Sequence, residues 1–189
     1  MDLIVAVPLT LIVSPILLAA AIAIKLDSPG PVLLAQQRTG RDGRRFTMIK
    51  FRTMVKDAEA RKAELSHLNV LPPPDFKIPD DPRVTRVGRV LRKTSIDELP
   101  QLLNVIVGHM SLVGPRPTSF AATTYSLWHT RRLEVRPGIT GLWQVTTRHS
   151  VGFDERLRLD ISYIEHMSPQ RDFRILAATA LAVLRRSGV

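Results

Sequence analysis

Residues 3–24 read LIVAVPLTLIVSPILLAAAIAI, twenty-two consecutive positions without a charge. As an ideal helix this stretch would reach roughly 33 Å, just enough to cross a hydrocarbon core of about 30 Å. Ser14-Pro15 interrupts it near the middle. Pro15 has no N–H to give the Leu11 carbonyl and its ring presses on that group, while Ser14 can bond back to Thr10, so a kink is expected. Two readings stand side by side: a simple span that tolerates a proline, or a broken helix that enters and leaves one leaflet with both ends on the same side. Lys25, Arg38, Arg41, Arg44, Arg45, Lys50 and Arg52 follow closely, which puts the body of the protein in the cytoplasm by the positive-inside rule. No basic residue precedes the apolar run and no small-residue cleavage site follows it, so a secretory signal peptide is not expected.

The whole chain has 189 residues, 27 Lys and Arg against 17 Asp and Glu, a net charge of +10, and no cysteine. Without cysteine there is no disulfide scaffold, Cys-ligated zinc, iron–sulfur cluster or thiol nucleophile. Residues 27–189 suffice for one compact core. The cationic surplus calls for a phosphate-bearing partner on lipid, nucleotide or nucleic acid. A membrane-tethered nucleic-acid-binding protein is the alternative from another class, but aromatic residues make up only 5% of the chain and no nucleic-acid motif is present, which argues against that partner.

Beyond the apolar stretch, Asp27-Ser28-Pro29-Gly30-Pro31 forms a rigid turn. Strands are expected at 32–36 and 46–51, joined through a basic turn whose Asp42-Gly43 suits a hairpin bend. Helices are expected at 53–68, 83–93, 96–107, 118–133, 153–167 and 172–186, with a proline-broken loop over 72–82 and an extended stretch over 136–145. The helix at 96–107 opens on Ser95-Ile96-Asp97-Glu98, the form of a capping box, but Pro100 means that its first turn is distorted or starts later. The last helix, apolar in the middle and basic at its ends, suits either a membrane interface or a buried position.

Chemistry concentrates between residues 92 and 117. There is no G-x-G-x-x-G, P-loop, H-E-x-x-H or G-x-S-x-G. His67, His109, His129, His149 and His166 show no metal-ligand spacing and read as surface or packing residues. Asp97 and Glu98 stand near a helix start, where the macrodipole favours both as anions and suits them to nucleophile or ligand work. In the bland reading, Glu98 completes the cap and Asp97 favours the dipole. Gly114-Pro115-Arg116-Pro117 holds an arginine between two prolines, fit for aiming a guanidinium at phosphate or for a plain turn. Lys50 and Arg52 project from the same face of a strand, for which function and solvation are equally open.

Five ordered motifs carry a family likeness: DSPGP at 27–31, KFRTM at 50–54, DPRVT at 81–85, RKTSIDELPQL at 92–102 and MSLVGPRP at 110–117. With them the chain strongly resembles the bacterial sugar transferases, the small monotopic phosphoglycosyl transferases. The stretch RPGITGLWQV at 136–145 looks like the branch containing undecaprenyl-phosphate hexose-1-phosphate transferases. The resemblance implies an α+β, mainly helical fold: a re-entrant membrane helix over 1–26, broken at Ser14-Pro15, and a cytoplasmic catalytic domain over 27–189 with a small β-hairpin and interfacial helices.

It also implies a reaction in which a UDP-sugar gives its sugar-1-phosphate to a polyprenol phosphate at the cytoplasmic face of the bacterial inner membrane, releasing UMP. By that likeness Asp97 is the nucleophile and Glu98 helps to hold Mg²⁺. Arg92 and Arg116 contact phosphates, with Lys50 and Arg52 as further phosphate-binding candidates. The chain departs from its likeness at His109, where relatives often carry an acidic residue, and at Thr146-Thr147-Arg148, where Ser-Gly-Arg is more usual. A homodimer is only the base-rate expectation for assembly.

Overall fold

A computed structural model of the chain describes residues 1–71, 76–147 and 152–185. Part of the expected 72–82 loop, Arg148, His149 and the end of the expected 172–186 helix lie outside the described residues.

The apolar stretch forms a helix, α1 (Asp2–Asp27), which continues through Pro8 and Pro15 without the expected break. The reason lies in the side chains. The Leu11 carbonyl, which Pro15 cannot serve, accepts a hydrogen bond from Ser14 Oγ at 2.7 Å, so the serine bonds to Leu11 rather than to Thr10. Thr10 Oγ1 donates to the Ala6 carbonyl at 2.7 Å. Small residues let α1 lie close against the rest of the molecule. Ala6 packs with Phe46, Met48, Leu102, Val105 and Met110 in one core cluster, while Ala20 and Ile24 join Phe51 and Leu91 in a second. Its two ends are tied to the same body: Asp2 Oδ1 accepts from Ser111 Oγ at 3.1 Å, and Asp27 Oδ2 from the Val87 N–H at 3.1 Å. Ile4, Leu11, Ile12, Leu18 and Leu26 on the other faces remain exposed.

An antiparallel hairpin follows, β1 (Leu33–Thr39) and β2 (Arg45–Phe51). It is longer than expected, because Arg38 and Thr39 belong to the strand rather than the turn; the bend falls at Asp42 and Gly43, both with positive φ. The outer edge of β2 is closed by Asn104, whose Oδ1 accepts from the Ile49 N–H at 3.0 Å and whose Nδ2 donates to the Thr47 carbonyl at 2.7 Å. Residues 53–68 do not form the expected α-helix. Their start is committed elsewhere, since Val55 N–H donates to the Arg83 carbonyl and Thr53 O accepts from Thr85 N–H. Short 3₁₀ turns at Ala60–Lys62 and Ser66–Leu68 are what remains.

Helix α2 (Arg86–Lys93) is capped by Thr85, whose side chain accepts from Gly88 N–H. Gly88 has no room for a side chain: a Cβ there would stand 2.0 Å from the Thr53 carbonyl oxygen. Helix α3 (Gln101–Ile106) starts later than the expected residue 96, with Pro100 just before it, where a missing N–H leaves no bond unmade. Strands β3 (Ser111–Val113) and β4 (Gly138–Thr140) form a parallel pair that periodicity did not reveal. Residues 118–133 carry 3₁₀ turns at Ala122–Thr124 and Leu127–Leu133 in place of the expected α-helix, because Thr118 bridges to Thr39 and draws the chain onto the hairpin.

The expected extended stretch over 136–145 holds only through β4 and then turns into α4 (Leu142–Thr146). Helix α5 (Phe153–Glu165) agrees with expectation. Helix α6 (Pro169–Leu184) starts earlier than residue 172, on a Ser168 cap and Pro169. It buries Ile175 and leaves Phe173 and Leu184 exposed, so it is neither wholly buried nor wholly surface. The hydroxyl of Tyr163 donates to Asp172 Oδ1 at 2.7 Å and joins α5 to α6.

Arg52 is built into this framework. It is buried, with Nε donating to the Pro31 carbonyl at 2.6 Å, Nη1 to Ser28 Oγ at 2.6 Å and Nη2 to the Ser28 carbonyl at 2.9 Å. It therefore fastens the 27–31 turn to the end of β2. Replacing Arg52 with Met should cost on the order of 3 kcal/mol, read as a lower urea midpoint, with Arg52→Lys recovering only part of the loss. An unchanged midpoint would show that the clasp does not matter for stability.

Candidate active site

The site is built on a break in the chain between α2 and α3. Ser95 adopts a left-handed φ of 57°, and its carbonyl accepts from the Glu98 N–H at 3.2 Å, closing one 3₁₀ turn over Ile96–Glu98. In this conformation the Ser95 side chain makes no cap bond, so the capping box expected from Ser95 and Glu98 does not form. Glu98 turns instead to Arg116. Arg116 Nη2 donates to Glu98 Oε1 in a short contact, and Nη1 donates to Oε2 at 3.3 Å. The two planar groups therefore meet fork to fork.

The two neighbouring carboxylates become chemically different. Burial alone would raise the pKa of Glu98, but the adjacent guanidinium of Arg116 overrides it and holds the carboxyl below the usual carboxylate range, with Lys50 and Arg38 adding in the same direction. Asp97 has no such clamp. Burial pushes it up to about 6, the charge of Glu98 adds to the rise, and Lys50, Arg92 and Arg116 oppose it. The expectation that the helix dipole would keep both as ordinary anions thus fails for Asp97, because the dominant cause is desolvation.

The cations fall into order around this pair. Arg92 extends from α2, its Nε donating to Thr53 Oγ1 at 2.9 Å, with Asp97 as its foremost charged neighbour. Lys50 lies on β2 near Arg38, Asp97, Arg116 and Glu98; burial, chiefly, and the two arginines bring it down to about 8. Its ammonium makes no hydrogen bond among the described residues. Asp97, Glu98, Arg92, Arg116 and Lys50 are thus brought together, and Arg52 is not.

Three participants escaped the sequence reading. Arg38 shares a hairpin face with Lys50 by the strand register, and alternation along Leu34, Gln36 and Arg38 was the available signal. Arg132 and Asp160 were missed as well. Arg132 Nη2 donates to Asp160 Oδ2 at 2.6 Å and to the Arg116 carbonyl at 2.7 Å. Both residues are almost fully buried, so this pair supports from behind the backbone that carries Arg116. Asp160 falls three residues after Leu157 and four before Ile164, a carboxylate on an apolar helical stripe, which needs a buried partner.

Among the described residues no group of three or more His, Asp or Glu converges as a metal cluster. The His109 ring packs against Phe46, with centroids 5.9 Å apart, and the His129 ring lies among Tyr125, Trp128 and Phe153. A shallow cleft of about 340 Å³ lined by Trp128, Asp154, Arg158 and Glu165 shares no residue with the Asp97 cluster.

Two measurements test this description. The carbon-13 shift of the Asp97 carboxyl should titrate near pH 6, and Glu98→Gln should move that midpoint lower by removing a neighbouring negative charge. A midpoint at the ordinary aspartate value would contradict the buried setting. Breaking the backing pair with Asp160→Ala should strand a buried guanidinium and cost about 3–5 kcal/mol in denaturant unfolding. A loss under about 1 kcal/mol would show that the pair is solvated.

The family model for bacterial sugar transferases matches residues 1–186. The chain is 47% identical over 161 residues to the galactosyl transferase CpsE of Streptococcus agalactiae serotype III, covering 84% of this chain and 36% of that protein. It is 41% identical to an undecaprenyl-phosphate galactose phosphotransferase of Salmonella typhimurium, over 99% of this chain and 40% of the relative. A UDP-glucose:undecaprenyl-phosphate glucose-1-phosphate transferase of Caulobacter vibrioides is 42% identical, over 97% of this chain and 68% of its own length. The chain thus spans well under half the length of the first two relatives. A charge-split Asp97-Glu98 pair ringed by cations and a match running almost from end to end lead to one statement: the chain belongs to the bacterial sugar transferase family.

Proposed function

We propose that the chain transfers sugar-1-phosphate from a UDP-sugar to undecaprenyl phosphate or a similar polyprenol phosphate, releasing UMP and starting the assembly of a polysaccharide or other glycoconjugate. The observation that carries this reading is the unequal pair: Glu98 is neutralised by Arg116, while Asp97 is left without a clamp among Lys50, Arg92 and Arg116. A carboxylate oxygen of Asp97 attacks the β-phosphorus of the donor. The bond to the oxygen shared with the α-phosphate breaks, that oxygen keeps the electron pair, and an aspartyl sugar-phosphate remains on the enzyme. A phosphate oxygen of the lipid then attacks the same phosphorus and returns the Asp97 carboxylate. The cations stabilise charge on the phosphoryl oxygens through both steps.

Mg²⁺ fits this donor set, because the ion commonly takes one or two carboxylates and completes its shell with water and substrate phosphate oxygens. Glu98 would hold it through the carboxylate it shares with Arg116. When bound, the ion offsets charge on the diphosphate.

The lipid acceptor calls for a membrane seat, and α1 supplies one. The helix is long and apolar, with only 11% of its most apolar window buried. The Asp2–Ser111 and Asp27–Val87 bonds tie both of its ends to the same body. A perpendicular span would part those ends across the bilayer, so this geometry favours a seat that keeps both ends of α1 on one side, with the catalytic domain on the cytoplasmic face of the inner membrane.

Incubation with a panel of UDP-sugars and undecaprenyl phosphate should release UMP for at least one sugar, and Asp97→Asn should lower that rate by roughly 10⁴-fold or more while the protein stays folded. Full activity in Asp97→Asn would end the nucleophile assignment. For topology, Leu3→Cys in this cysteine-free chain should react with an impermeant thiol reagent only from the cytoplasmic side. Labelling from the periplasm would contradict the one-sided seat.

A further inference from the structure

The cations around Asp97 and Glu98 divide unevenly between the two carboxylates. Arg92 feels Asp97 first among its charged neighbours, followed by Asp81 and Arg83. Lys50 feels both carboxylates, Asp97 more than Glu98. Arg38 feels Arg116 and Arg45 and, of the two carboxylates, Glu98 more than Asp97. Arg92 is therefore coupled to the nucleophile, and Arg38 to the Glu98–Arg116 side of the pair.

Arg38 also has a donor to give. Its Nη2 donates to Gln36 Oε1 at 2.9 Å, but its buried Nε–H has no partner among the described residues. A buried N–H without an acceptor is costly, so a ligand oxygen placed there would be held firmly. The nearby hairpin arginine, Arg45, differs: its guanidinium is engaged by Thr39 Oγ1, the Ser119 and Phe120 carbonyls and the Gln37 carbonyl. Among the cations on this side, the hairpin register puts Arg38 on the same face as Lys50 and leaves Arg45 on the other.

In-line displacement needs the attacking oxygen and the leaving oxygen on opposite sides of phosphorus. With Asp97 attacking the β-phosphorus, the α-phosphate must lie across from it, and Arg38, coupled to Glu98 and Arg116 more than to Asp97, has a donor to spare for it. We propose that Arg38 binds the nucleotide-side phosphate of the donor and stabilises it as it departs in UMP. This assignment rests on the covalent reading above. As the bond from phosphorus to the bridging oxygen breaks, its electron pair stays on that oxygen and UMP leaves with one more negative charge. No proton is needed, and the Arg38 guanidinium offsets the new charge. The step in which the lipid phosphate takes the sugar-phosphate from Asp97 does not involve UMP, so Arg38 acts in the first half of the reaction only.

The test separates the two halves in full-length protein carrying Arg38→Gln, Arg38→Lys, or Arg41→Gln as an exposed charge control on the same hairpin. In Arg38→Gln the inhibition constant for UMP should rise about 10-fold or more and the burst of UMP from UDP-sugar should slow by a similar factor. Transfer from preformed sugar-phosphate enzyme to undecaprenyl phosphate should change less than about twofold. Arg38→Lys, which keeps the charge but loses the Nε donor, should fall between, and it carries the test if the glutamine variant does not fold. Arg41→Gln should match the parent. Unchanged UMP inhibition in the Arg38 variants, or equal slowing of both halves, would overturn the assignment. The two readings fail differently. A parent protein that never labels but whose UMP inhibition still weakens in Arg38→Gln loses the covalent step, whereas a parent that labels with UMP inhibition indifferent to Arg38 loses only this subsite.

Discussion

The contact between Arg116 and Glu98 is the constraint on which the site depends. Two adjacent carboxylates in one half-buried turn repel each other, and without a counter-charge one of them would be driven to take up a proton. Arg116 resolves the conflict unevenly by clamping Glu98 through both oxygens. Glu98 becomes a fixed anion suited to holding a cation or a charge balance. Asp97 stays a carboxylate of raised basicity, poised near pH 6. Two chemically identical side-chain groups thus acquire two roles from their surroundings alone.

That clamp needs a backbone that does not drift. Pro115 and Pro117 restrict Arg116 locally, and Arg132, anchored on Asp160, holds its carbonyl from inside the fold. On the opposite side, Arg92 is set by Thr53, and Gly88 lets α2 come to touch the backbone of that same residue. The hairpin that carries Lys50 and Arg38 is fixed to α3 through Asn104. Helix α1 lies under all of this, with Ala6 in one core cluster and Ala20 and Ile24 in the other. The same helix that presents an apolar surface outward therefore helps to hold the charged site in register.

Much of this was legible because the residues concerned obey local rules. Apolar length marked α1, Asp42-Gly43 marked the hairpin bend, 3.6-residue spacing marked α2 and α5, and an apolar middle between basic ends marked α6, each within a few residues. The failures occurred where long-range contacts override local preference. Residues 53–68 have a helix-forming composition, yet Thr53 and Val55 are committed to Thr85 and Arg83. Ser95 has the identity of a cap, yet its left-handed backbone aims the chain elsewhere. At the site, the adjacency of Asp97, Glu98 and the rigid Gly114-Pro115-Arg116-Pro117 turn drew attention to residues that the fold brings together. Their unequal basicity did not follow from sequence, because it depends on burial and on a partner 18 positions away. Arg52 and Arg38 show the same limit in opposite directions: Arg52, just past β2, is engaged by the 27–31 turn, while Arg38, within β1, keeps a buried donor with no acceptor among the described residues.

The central claim is that Asp97 becomes bonded to phosphorus during turnover, and intact-protein mass spectrometry tests it most directly. Protein mixed with a UDP-sugar and Mg²⁺ but no lipid acceptor should gain the mass of one sugar-phosphate, located by peptide mapping to Asp97 and discharged when polyprenol phosphate is added. A polypeptide that stays at its unmodified mass, while adding the lipid still yields product at the full rate, would contradict the account.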